Sequence, residues 1–207
     1  KKLSIDSLFC YRPTFLDNSS WDAQLQEFGQ ILDEIFSELV GSIGNRSLFV
    51  PLSGGLDSRL VLSKLIEHGA PNIRAFTYGN NRSHEMKMAR TIAQKLGVEW
   101  IPVPSCKTGH RSLYNSQVRL EYAHYADGLH MTPVLLDFEA IYRLRSRGVF
   151  PRDAVIINGY SGDFLFGGHI PAALLHSPST HTLVEKFMEK NYANFSSKKM
   201  NRARKIM

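Results

Sequence analysis

The residues Ser53-Gly-Gly-Leu-Asp-Ser58 combine two hydroxyls, two glycines and one carboxylate in six positions. The apolar run before them, Ser47 to Leu52, is too short for a helix and reads as a buried strand. After them, Leu56, Leu60, Val61, Leu65 and Ile66 recur at helical spacing and stop at Gly69-Ala-Pro71. The six residues therefore connect a strand to a helix N-terminus, and in open parallel sheets ligands bind at such strand ends. Gly54 and Gly55 lack Cβ atoms and permit positive φ, so successive backbone N–H groups can converge on an anion. The helix adds free donors and the positive end of its dipole, and Ser53 and Ser58 add hydroxyls. This predicts a pocket for phosphate or pyrophosphate. It is not the loop G-x-x-x-x-G-K-[ST], because no Lys precedes the final hydroxyl. Asp57 there makes chemical sense if it holds a cation that neutralises the phosphates. The plainer alternative is a tight turn in which Asp57 and Ser58 only cap the helix.

The elements that must position this loop alternate along the chain. Leu25, Phe28, Ile31, Ile35, Phe36 and Leu39 predict a first helix, capped by Ser19 or Ser20 and ending near Gly41 and Gly44. Ile73 to Tyr78 is a strand closed by Gly79, and Ser83 caps a helix that runs to Gly97. Val98 to Val103 is the next strand. Residues 108–147 read as mostly helical, broken around Gly128 to Pro133, with Leu135, Leu136, Phe138, Ile141 and Leu144 on the second helix. Ala154 to Ile157 is a last, wholly apolar strand. Strands alternating with helices of this length predict an α/β fold, a doubly wound parallel sheet covered on both faces.

Composition narrows the function classes. With 43% hydrophobic and 21% charged residues, disorder, collagen and coiled coil are excluded. No run of about 18 apolar residues and no signal-peptide core occur, so the expectation is a cytoplasmic protein with no membrane partner. Cys10 and Cys106 are far apart and fit neither a disulfide framework nor a zinc site. The net charge of +6 arises wholly from residues 186–207, which carry seven Lys/Arg and one Glu. The balanced remainder argues against a nucleic-acid partner.

A second segment, Asn158 to Gly168, lies beyond the last strand and reads Asn-Gly-Tyr-Ser-Gly-Asp-Phe-Leu-Phe-Gly-Gly. The two segments together carry a family resemblance. Ser53 to Ser58 resembles the PP-loop of the ATP pyrophosphatases, in the form found in the synthetase domain of asparagine synthetases. The second segment is similar to that family's Ser-Gly-Glu-Gly-Ser-Asp-Glu-x-Phe-Gly-Gly. The resemblance covers roughly residues 45–170 and implies a PP-loop, adenine nucleotide alpha hydrolase-like fold. The chain is read as an ATP-binding unit over 45–175, preceded by a lead-in and N-terminal helix over 1–44 and followed by a helical basic segment over 176–207. The resemblance further implies ATP and Mg²⁺ as cofactors. Ser53, Gly54, Gly55 and Ser58 would hold pyrophosphate, and Asp57 and Asp163 would share the metal. Leu52 and Tyr78 would border the adenine, Gly159 would let the nucleotide approach the backbone, and Asn158 would join the ATP- and pyrophosphate-binding set. The implied partners are a small-molecule carboxylate, attacking the α-phosphorus to give an acyl-adenylate, and ammonia or an amine that displaces AMP.

The sequence departs from the family pattern in three respects. No Cys-led glutaminase domain is present, so ammonia is expected from another domain or subunit. The Lys that the family places beyond its second motif has only Lys190, Lys198 and Lys199 as candidates, since 39 residues follow Gly168, and a fragment is expected. Tyr160 and Phe164 replace the two glutamates of the second motif. The Tyr is similar to that of β-lactam synthetases, relatives that close a ring, and makes Tyr160 a candidate catalytic residue. The alternatives are another PP-loop ligase, including a tRNA-modifying one, and a non-catalytic nucleotide-binding module. Glu85 reads as a dipole-complementing residue at a helix start, and Tyr122 and Tyr125 read as core packing.

Overall fold

Strand β1 (Leu48–Pro51) pairs in parallel with β2 (Ile73–Gly79) on one side and β4 (Val155–Ile156) on the other. Strand β3 (Glu99–Pro104) extends the sheet beyond β2, again in parallel, giving the order β3-β2-β1-β4. The computed structural model describes residues 19–105, 107–127, 137–160, 162 and 179–192. Within them the helices are α1 (Trp21–Ile43), α2 (Leu56–Glu67), α3 (His84–Lys95), α4 (Lys107–Tyr114), α5 (Gln117–Ala126), α6 (Phe138–Ser146) and α7 (Thr180–Tyr192). None is long and apolar enough to cross a membrane.

Side-chain alternation along the strands makes two cores. Leu48, Val50, Leu52 and Ala75 face α1, α2 and α3, where they meet Phe36, Leu62, Leu65, Ala89 and Ile92. Phe49, Phe76 and Val103 face the other way and meet Ala140 and Leu144 of α6. A parallel sheet covered on both faces buries its strands throughout, which is why β1 is an unbroken apolar run. The fold is the expected doubly wound α/β sheet. Its winding runs outward from β1 through β2 to β3, then returns to β4 beside β1. The β1/β4 junction is therefore the topological switch point, and the Ser53 loop leaves the sheet there.

The caps follow the sequence. Ser20 accepts from the Ala23 N–H at 3.3 Å and Ser83 from the Met86 N–H at 3.2 Å. Two features differ from the periodic reading. The region after β3 breaks at Asn115-Ser116, where the Ser116 hydroxyl caps α5 by accepting from the Arg119 N–H at 3.3 Å. The break expected around Gly128 to Pro133, and Leu135 and Leu136 after it, lie outside the described residues. The first helix buries only Phe36 and Ile43, leaving Leu25, Ile31 and Ile35 about half exposed. The reason is length. Twenty-three helical residues span about 35 Å while the four residues of β1 span about 13 Å, so the N-terminal half of α1 overruns the sheet. Likewise α5 buries no residue; Tyr122 stacks on Phe138 at 4.8 Å, but Tyr125 is almost wholly exposed rather than core.

Candidate functional site

The end of β1 is clamped before the loop begins. The Leu52 N–H donates to the Phe76 carbonyl at 2.8 Å, and the buried Thr77 hydroxyl donates to the Leu52 carbonyl at 2.7 Å. Thr77 is itself held by the Trp100 indole N–H at 2.9 Å. Ser53 thus starts from a fixed point. Its N–H donates to the Ser58 hydroxyl at 3.1 Å, the two hydroxyls are 3.0 Å apart, and its Oγ accepts from the Gly55 N–H at 3.0 Å. These bonds tie the loop to the first turn of α2.

Two expectations about this loop change. Neither Gly54 nor Gly55 adopts a positive φ, so the glycines contribute open space rather than left-handed backbone. The α2 N-cap is Gly55, with no side-chain cap bond, so neither Asp57 nor Ser58 caps the helix. Ser58 instead buries its hydroxyl against Ser53, and the Asp57 carboxylate is left for another purpose.

A cavity of about 310 Å³ opens at the switch point. From the first loop it is lined by Leu52, Ser53, Asp57 and Ser58, and from β2 by Tyr78. From beyond β4 it is lined by Asn158, Gly159 and Tyr160. The structure therefore brings together eight of the residues singled out in the sequence. Gly54 and Gly55 flank the loop outside this lining, and Asp163 lies outside the described residues. Leu52 does double service, since its side chain is also part of the core under α2 and α3. Glu85 is a lining residue as well as a first-turn acid of α3.

The two loops touch very closely. A Cβ built on Gly159 would stand 2.9 Å from the Ser58 backbone nitrogen, and one on Gly162 would overlap the Asp57 carboxyl group. Only glycine allows that approach. Asp57 and Glu85 are oxygen donors suited to a hard cation such as Mg²⁺, which takes one or two carboxylates and completes its shell with phosphate and water. No group of three or more metal-capable side chains occurs among the described residues, so any such ion would depend on a ligand's oxygens.

Sequence reasoning passed over Asp137, at the head of α6. Its carboxylate accepts from the Tyr78 hydroxyl at 2.5 Å and from the Tyr160 hydroxyl at 2.9 Å. It joins the two cavity-lining tyrosines into one hydrogen-bonded wall. Burial first, and the Asp137 carboxylate second, push both phenols above their ordinary pKa. Phenols whose pKa is raised by folding lend stability that is complete below the unfolded value of about 10 and is lost as pH climbs above it. Stability should therefore fall above about pH 10, and Tyr78→Phe should flatten that alkaline fall; denaturant melts across pH check it. An equal fall in Tyr78→Phe would remove the coupling.

A family model described as Asparagine synthase matches residues 43–206. Among solved structures, an NH3-dependent NAD synthetase from Campylobacter jejuni subsp. jejuni NCTC 11168, in complex with the nitrate ion, is similar at TM-score 0.46. Identity there is 16%, over 69% of this chain and 59% of that one. An NMN synthetase from Francisella tularensis is similar at TM-score 0.42, with 18% identity over 63% of this chain and 52% of that one. The chain thus spans between about half and three-fifths of the length of these two structures.

Proposed function

The chain belongs to the asparagine synthase family, and on that premise we propose that it contributes the adenylating site of an ATP-dependent carboxylate–amine ligase. The observation that carries the proposal is the convergence of the Ser53 and Asn158 loops on one cavity at the switch point. Ser53, Ser58 and the backbone around Gly54 and Gly55 would hold the leaving pyrophosphate. A helix N-terminus that no side chain caps offers N–H donors to an anion. Leu52 and Tyr78 would flank the adenine. Asp57, with Asp163, would hold Mg²⁺, which when bound would neutralise phosphate charge.

A carboxylate oxygen of the acid attacks the α-phosphorus, the bond to the β-phosphate oxygen breaks, and pyrophosphate leaves. Ammonia or an amine then attacks the acyl carbon and AMP departs, the amine losing a proton. Such chemistry asks the protein mainly for positioning and charge neutralisation. Ammonia from a glutaminase domain or subunit fits this scheme, as does a cytoplasmic setting. Exchange of labelled pyrophosphate into ATP, dependent on an added acid, is the direct test. No exchange with any acid, together with no ATP binding, would refute the reading. ATP binding without cleavage in the complete protein would favour a nucleotide-binding module instead.

Tyr160 separates the two half-reactions. Its phenol is held protonated, so it is no general base at neutral pH, but it can orient an amine or exclude water from a labile adenylate. Tyr160→Phe should therefore keep pyrophosphate exchange. If the hydroxyl orients the amine, the same variant loses amide formation while still making adenylate. If the ring is only a wall, both half-reactions survive in Tyr160→Phe and fail together in Tyr160→Ala. Loss of exchange in Tyr160→Phe would contradict both and place the hydroxyl in adenylation.

A further inference from the structure

A second cavity, of about 380 Å³, opens beyond the ends of β2 and β3, between the sheet and helices α4, α5 and α6. Tyr78 lines both this cavity and the one at the switch point, so the two share a wall. Its remaining walls are chiefly apolar, with Val103, Leu113 and Phe138 among them. A volume above 300 Å³ with apolar walls and a few fixed polar groups is the ordinary character of a small-molecule site.

The polar groups are unequal. Glu139 is already engaged, accepting from the Ser105 hydroxyl at 3.0 Å and pairing with Arg143 at 2.8 Å. Arg119 differs. Its guanidinium lies over the Tyr114 ring at 4.8 Å, and its Nε is buried with no hydrogen-bond partner among the described residues. Arg119 is also a lining residue of the cavity, so its guanidinium is the cation nearest to a group held there.

Resting on the ligase reading, we propose that this second cavity receives the body of the acid activated next door, and that this acid is not a small polar amino acid. Its carboxylate enters the switch-point cavity past Tyr78. Its body is apolar and carries an aromatic ring, seated against Val103, Leu113 and Phe138. Its far end carries an anionic or hydrogen-bond-accepting group that meets Arg119. Apolar walls would bury the charges of a compact dicarboxylate such as aspartate without partners, whereas they reward a ring.

The test is calorimetric titration of the full chain with three probe acids: phenylpropanoate, its para-carboxy derivative and L-aspartate. The expected order is the para-carboxy acid tightest, phenylpropanoate weaker by about tenfold, and aspartate weakest. Arg119→Met keeps the apolar stem and removes the donors, so it should abolish the difference between the two aromatic acids. Leu113→Trp should fill the cavity and weaken both aromatic acids by about tenfold or more with Mg·ATP binding retained. Aspartate binding as tightly as either aromatic acid would overturn the proposal, as would a para-carboxy preference that survives Arg119→Met. Mg·ATP binding by the unaltered chain, without binding of any aromatic acid, leaves the ligase reading standing and defeats this one. Aromatic-acid binding without Mg·ATP binding would defeat the ligase reading, and this proposal with it.

Discussion

Gly159→Ala is expected to lower Mg·ATP affinity about a hundredfold and to destabilise the chain by about 1–3 kcal/mol. The added methyl would stand 2.9 Å from the Ser58 backbone nitrogen and 3.0 Å from the Asp57 carbonyl carbon. Those are backbone atoms in the first turn of α2, which Leu62 and Leu65 fix in the core. Neither can turn aside as a flexible side chain would, so one loop must retreat from the other. Separating the loops by a fraction of an ångström opens the cavity they share. Gly54→Ala is the control, since its Cβ would meet only the Met88 side chain at an ordinary 3.5 Å, and Gly54 has no positive φ to protect. It should melt close to the parent. If its Mg·ATP affinity nevertheless falls, the backbone at Gly54 is where the phosphate approaches. Thermal melts and nucleotide titrations on both variants give the comparison, and parental affinity in Gly159→Ala would show that the loop contact does not shape the cavity.

That contact marks the boundary of what could be read from the residues. The Ser53 loop and the Asn158 loop are each legible alone, because each follows a short apolar strand and each carries glycines that no periodic element needs. That they meet depends on β4 returning to lie beside β1, a topological fact that periodicity along the chain does not contain. The same holds for Gly54 and Gly55. Their composition suggested left-handed backbone, but the loop closes through the Ser53 and Ser58 hydroxyls and needs no positive φ. The first helix was legible in period and caps, not in how much of it the sheet could cover.

Asp137 was illegible for a different reason. It lies 59 positions from Tyr78 and 23 from Tyr160 in sequence, sits as one polar position inside a run read as helical, and belongs to no motif. A carboxylate bridging two phenols leaves no mark on local patterning. Thr77 is similar: in a strand its β-branched side chain reads as packing, yet its hydroxyl locks the point from which the Ser53 loop departs. Residues whose types suit chemistry stand out along the chain; the ones that hold the Ser53 loop and the tyrosine wall in place stand out only in the fold.

Asp57→Asn should separate charge from shape at the same site. Because the α2 cap is Gly55 without a side-chain bond, the change removes no capping interaction. It costs only the favourable position of one negative charge in the first helical turn, about 0.3–1 kcal/mol, so the melting temperature should hardly move. Asn also matches Asp in volume, which matters because Gly162 packs against this carboxyl group. The effect should instead appear in the magnesium dependence of nucleotide binding. With Mg²⁺, loss of one anionic ligand should weaken ATP binding by about tenfold or more. Without it, the native carboxylate repels the triphosphate, so under chelation Asp57→Asn should bind ATP as well as the parent or better. Only a carboxylate that acts through a cation inverts in this way. Equal affinity of parent and variant in magnesium would return Asp57 to a purely structural role, and parallel losses with and without the metal would mean that the loop itself had been disturbed.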